Sequence, residues 1–135
     1  MVSTISAIRD VFNVIVGSGF MQEVVLTGAV YIANRPLNSK LEDVVISSIA
    51  MNAKSLQEGV FNVNIHVPNV ELKKAGSQPN IDRFDELTKA LIKILSDVWG
   101  ANYNFIIEDP GSLIPDGDQW FCNIRIRYWT LRDVA

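Results

Sequence analysis

The stretch from Phe61 to Val67 constrains the fold more than any other part of the chain. Phe61, Val63, Ile65 and Val67 alternate with Asn62, Asn64 and His66. Successive side chains of an extended chain point to opposite faces, so this alternation describes a strand with one apolar and one polar face. Such a strand meets a core on one side only. Pro68 ends it by removing a ladder donor. Residues 119–131 repeat the pattern. Trp120, Cys122, Ile124, Ile126 and Tyr128 share one face, and Phe121, Asn123, Arg125, Arg127, Trp129 and Leu131 share the other.

Two segments carry helical periodicity. Ile5, Ile8, Val11, Phe12 and Ile15 recur at three- and four-residue steps over 3–16, with Ser3 or Thr4 as a cap. Phe84, Leu87, Leu91, Ile94 and Val98 form a stripe over 81–99. Asn80 can cap that helix, and Asp82, Asp85 and Glu86 sit near the positive end of its dipole. The remaining elements follow from shorter signals. Residues 23–33 are rich in strand formers and apolar on both faces, with Gly28 marking a bulge or a close backbone approach. Residues 34–42, containing Pro36, read as a turn or an extended hairpin arm, and 43–50 as the next strand. A polar connection spans 51–59, a loop 69–79, a further strand 103–108, and a turn-rich loop 109–118.

The expected order is α-β-β-β-α-β-β: an α+β fold whose mainly antiparallel sheet carries helices on one face. A chain of 135 residues is one domain, 1–135, and large enough to fold without metal or disulfide. Its net charge of −3 argues against general phosphate-backbone binding. One Cys and one His exclude an intramolecular disulfide and any multi-thiolate or multi-histidine metal site. No apolar run reaches the length of a membrane span, and Arg9 and Asp10 interrupt what would otherwise be a leader, so no membrane partner is expected.

The search for reactive groups returns little. Gly17-Ser18-Gly19 follows a helix, where it reads as a helix stop rather than a phosphate loop. Cys122 lies mid-strand among apolar residues and reads as a small hydrophobe. Asp109, Asp116 and Asp118 lack the spacing of a calcium loop. No catalytic, metal or cofactor-binding residue is therefore expected, and no cofactor. The features left over suit contact with other proteins: Arg35, Pro36 and Leu37 on the arm, Asn62, Asn64 and His66 on the polar strand face, and Arg125, Arg127 and Trp129 on the last strand. Arg and Trp are enriched among the anchors of protein interfaces. Exposed strand edges can be satisfied by a closed ring.

The layout, together with Gly28–Ile46 as an arm-bearing segment, Gly59–Asn69 as the third strand and Phe121-Cys-Asn-Ile-Arg-Ile-Arg127 as the last, resembles the tail-terminator proteins of long-tailed phages and prophages. The resemblance implies a non-enzymatic virion protein that forms a ring, commonly a hexamer. Such a ring ends the tail tube and joins it to the head. Its partners would be copies of itself, tail-tube proteins and head-connector proteins, and it would pass from host cytoplasm to virion. Two alternatives stand beside it: a head–tail connector or neck protein, and a small-ligand or enzymatic domain using His66 with Asp109 or Asp118.

Overall fold

A computed structural model describes residues 1–131; positions 132–135 of the expected domain lie outside the described residues. The elements are α1 (Thr4–Gly17), α2 (Phe20–Glu23), β1 (Val30–Ile32), β2 (Asp43–Met51), β3 (Leu56–His66), β4 (Val70–Leu72), β5 (Gly76–Gln78), α3 (Ile81–Leu95), β6 (Val98–Trp99), β7 (Tyr103–Asp116) and β8 (Gln119–Leu131). Six strands form one sheet in the order β1-β2-β3-β8-β7-β6, and β4 and β5 make a separate hairpin. All neighbours in the large sheet are antiparallel except β1 and β2. The helices lie on one face, so the α+β class is as the alternation and the helical stripes demand.

The core lies between that face and α1 and α3. Phe61, Val63, Ile65, Ile124 and Ile126 from the two central strands meet Ala7, Val11 and Ile15 of α1 and Phe84, Leu87, Leu91 and Leu95 of α3. An aromatic cluster sits at one end: the buried Tyr128 stacks on the half-buried Tyr103 at 5.6 Å and meets the buried Phe61 edge-on at 5.7 Å. The Tyr128 hydroxyl donates to Asp10 Oδ2 at 2.7 Å, which ties α1 to the sheet. Burial first, and the nearby carboxylate second, push the phenol well above its usual range. Ser3 caps α1 by accepting from the Ser6 N–H, and Asn80 caps α3 by accepting from the Arg83 N–H.

Several expectations need correction. The expected strand 23–33 is mostly not a strand: Glu23 ends α2, and only Val30–Ile32 pairs. The backbone between is bonded to the carboxylates and carbonyl at 42–43. Thr27 N–H donates to Glu42 Oε1, Gly28 N–H to the Glu42 carbonyl and Ala29 N–H to Asp43 Oδ1. Groups spent in this way cannot join a ladder.

The hairpin arm is not formed either. β1 runs parallel to β2, with Val30 opposite Val44 and Ile32 opposite Ile46, so 33–42 is a return loop that brings the chain back to its starting level. It is pinned from inside: Asp43, fully buried, accepts from Ser39 Oγ and from Arg35 Nη1. Pro36 and Leu37 stay outside this clamp, and Leu37 is 91% exposed.

The expected loop 109–118 is largely strand. β7 runs to Asp116 with register shifts between Ile107 and Asp109 and between Asp109 and Ser112. Asp109 makes the bend by accepting from Gly111 N–H and Ser112 Oγ. Pro110 and Pro115 are tolerated because one side of β7 is unpaired there, so no donor is missed. The helix 81–99 ends at Leu95. Asp97 takes a positive φ of 53° and turns the chain into β6, so Val98 belongs to the sheet. The connection 51–59 shrinks because β2 and β3 extend into it, and 69–79 contains the β4–β5 hairpin.

Candidate functional site

Helices cover one face of the sheet; the other carries the polar residues of the alternating strands. The register places them in rows. His66 lies opposite Phe121, Asn64 opposite Asn123, Asn62 opposite Arg125, Val60 opposite Arg127, and Glu58 opposite Trp129. The structure therefore brings Asn62, Asn64, His66, Arg125, Arg127 and Trp129 onto one continuous open face. Arg35, Pro36 and Leu37 are not on it. They belong to the return loop, at the end of the sheet where His66 lies.

The open face is organised by two hubs. Asn123 is buried, and its Nδ2 donates to Asn62 Oδ1 at 3.0 Å and to Asn64 Oδ1 at 2.7 Å. Arg127 reaches Glu58 Oε1 at 2.7 Å through Nη1 and Glu108 Oε1 at 2.8 Å through Nη2. Arg127 thus holds three strands in line, since Glu58 is on β3 and Glu108 on β7. These ion pairs are a third exposed, so they order the face more than they stabilise the fold. Arg125 is exposed and bonds to no side chain among the described residues.

Sequence reasoning missed Asn123, Glu58 and Glu108. The first was legible as a member of the polar face; the carboxylates depended on register, which the sequence does not state.

His66 sits at the edge of this face against Phe121, ring centroids 5.5 Å apart. It also lines an open cavity of about 660 Å³ between the return loop, the β4–β5 hairpin and the β7–β8 turn. Arg35 and Lys40 stand on the loop side, Glu71 on the hairpin and Asp118 on the turn. Burial first, then the Arg35 charge, hold the imidazole below its usual range, so it is neutral at pH 7. No carboxylate accepts a hydrogen bond from His66 among the described residues. Asp118 shares its cavity. Asp109 does not: it lies opposite Arg125, on the far side of Phe121 along the strand. Asn69 anchors the hairpin by donating to the Asp118 carbonyl and Ser77 Oγ. Its Oδ1 is buried with no partner among the described residues.

Cys122 and His66 are on opposite faces of the sheet. Cys122 points into the core, where Thr88 Oγ1 lies 3.5 Å from its sulfur, and burial pushes the thiol up. The thiolate is the reactive form, so a disulfide reagent such as DTNB should leave Cys122 unmodified in the native protein and titrate it stoichiometrically in denaturant. Rapid native modification would show that the β8 core face opens readily. Among the described residues no group of three or more His, Cys, Asp or Glu side chains is placed to hold a metal ion, and no helix is long and apolar enough to cross a membrane.

No family model matches the chain, and no curated protein matches it. Sixteen solved chains are significantly similar. One, whose name describes no activity, has a TM-score of 0.53 with 16% identity, and the alignment spans 95% of this chain and 96% of that one. At that identity the likeness concerns the fold alone, and it spans the fold from end to end.

Proposed function

We propose that the protein is a non-enzymatic structural subunit of phage tail-terminator type, which assembles into a ring that ends a tail tube and joins it to the head. One observation carries the reading: a six-stranded sheet covered by helices on one face only, with an ordered lattice of Asn, Arg, Glu and aromatic side chains on the other. Such a face is pre-arranged. Asn123, Arg127 and their partners lose little further freedom when another surface docks, which lowers the entropic cost of association. Arg125 and, two rows further along the same face, Trp129 supply the kind of side chain that anchors protein contacts. The chemistry of the site points the same way: a thiol in the core and a neutral imidazole with no bonded acid do not make a nucleophile and base.

The test is assembly. Native mass spectrometry of the full chain at rising concentration should give one closed oligomer, and the protein added to polymerising tail-tube subunits should fix tube length. A monomer at every concentration, together with no effect on tube length, overturns the reading. Arg125→Glu should weaken capping of the tube by about tenfold or more, as reversal of an anchoring charge does, while leaving the fold intact.

A further inference from the structure

Among the described residues, the sheet leaves a stretch of unpaired backbone on each side. On one side β1 pairs only with Val44–Ile46, so Ser47–Met51 of β2 has no backbone partner beyond β3 among the described residues. On the other, β6 pairs only with Asn104 and Phe105, so among the described residues β7 from Ile106 onward has no partner on its outer side. Unpaired edges of this kind recruit strands.

The register puts the two edges at the same level of the sheet. Ser47 lies opposite Asn62, which lies opposite Arg125, which lies opposite Asp109. Ala50 follows the same rows through Val60 and Arg127 to Ile106. β2 and β7 also run in opposite directions, because each of the three pairings between them is antiparallel. Two copies placed head to tail, without inversion, therefore bring β2 of one against β7 of the next in antiparallel sense and at matching height. Large apolar side chains mark both edges: Ile49 is 51% exposed and Ile106 is 40% exposed.

The window is bounded. Pro110 and Pro115 lack donors, and the register shifts around Asp109 bend β7 away from a straight ladder. Pairing can therefore start at Ile106 but cannot run far beyond Asp109. Ser47–Met51 is similarly short and carries its own shift between Ser48 and Ala50. A short, bounded window suits one partner in one register rather than open-ended aggregation.

We infer that copies of this chain join head to tail through antiparallel pairing of Ser47–Met51 of one with Ile106–Asp109 of the next, which makes the ring wall a continuous sheet. This deepens the ring reading and rests on it. An interface in which two different edges meet is heterologous, the kind from which a ring is built when the rotation between copies closes. It also leaves the Asn–Arg face unobstructed for the neighbouring parts of the tail.

The test uses the full chain carrying Ala50→Cys with Ile106→Cys, oxidised with copper phenanthroline and run on a non-reducing gel. The double variant should give a ladder ending at the native oligomer, and each single variant should give none. Hydrogen exchange on the wild-type protein supplies a second measurement that needs no substitution. Within 47–51 and 106–109, the amides directed away from β3 and β8 should slow by about tenfold or more between dilute and assembled protein, since pairing removes them from solvent, while those already bonded to β3 and β8 should change little. An oligomer in the mass spectrometer with neither ladder nor slowed amides overturns the edge pairing and leaves the ring reading standing. A monomer throughout overturns both. If the double variant does not fold, judged by circular dichroism, the exchange measurement decides alone.

Discussion

Arg83→Met should destabilise the protein by about 3 kcal/mol or more, the usual result of leaving one partner of a buried ion pair without the other. Arg83 on α3 holds Glu42 with two bonds, Nε to Oε2 at 2.6 Å and Nη2 to Oε1 at 2.8 Å. Nη2 also donates to the Val24 carbonyl at 2.8 Å, so one guanidinium ties α3 to the end of α2 and to the start of β2. Glu42 is 8% exposed, so removing the cation strands its charge. Arg83→Lys should recover part of the loss, because an ammonium supplies charge but not the planar fork. The measurement is urea unfolding followed by tryptophan fluorescence, read as a fall in midpoint at unchanged slope. A loss below about 1 kcal/mol would mean that water replaces the guanidinium, and the pair would then behave in energy as a surface bridge despite its burial.

The same pair sets a pH dependence. The Arg83 hydrogen bonds hold the Glu42 carboxyl below its ordinary range. A folded pKa below the unfolded one gives stability that is fully present above the unfolded value and is lost as pH falls through the folded value. Wild-type stability should therefore drop more steeply between about pH 5 and about pH 3 than that of Glu42→Gln. In Arg83→Met the sign reverses for this group: burial without a cation favours the neutral acid, so the deficit relative to wild type should shrink on acidification.

Gly28→Ala should cost about 3 kcal/mol, at the upper end of what one added methyl does in a packed site. A Cβ at Gly28 would overlap Asp43 Oδ1 and the Glu42 carbonyl oxygen. Neither can move aside. The carbonyl accepts the Gly28 N–H itself at 2.9 Å, and Asp43 is held by Ser39, Arg35 and the Ala29 N–H. The strain would fall on the return loop, so limited proteolysis within 33–42 should accelerate along with the loss of thermal stability. Gly17→Ala is the control: nothing lies within 4 Å of its added Cβ, and it should be close to neutral or mildly stabilising. Equal effects of the two substitutions would remove the close approach as the reason for a glycine at 28.

The two faces of β3 and β8 were legible because period-two alternation is a local property. Each side chain declares its face relative to its neighbour, and burial on one side then selects the apolar set. The inward faces are as the alternation says, from Phe61 to Ile65 and from Cys122 to Tyr128. α3 was legible for the same reason at the helical period, up to the residue where Asp97 turns the chain. Periodicity places Ile94 and Val98 on its buried stripe, but Leu95 fills the deepest position near its end and Val98 lies beyond it in β6.

The segment 23–33 failed because strand propensity is a statement about side chains, whereas its backbone hydrogen bonds are claimed by Glu42 and Asp43. Local composition carries no sign of those acids. The loop 109–118 failed in the opposite sense: proline and glycine mark turns in isolation, but on an unpaired edge they cost a ladder nothing.

By itself, the sequence determined that this chain makes a one-sided sheet with two covering helices and that its polar strand face carries Asn, His, Arg and Trp. Those are consequences of periodicity and need no partner to be true. Only the tertiary structure decided which strands are neighbours, that β1 lies parallel to β2, that Asn123 and Arg127 become hubs, and which stretches of edge remain unpaired. Each of these is a relation between residues far apart along the chain, fixed by register and by the burial of Glu42 and Asp43, and such relations exist only once the strands have been laid side by side.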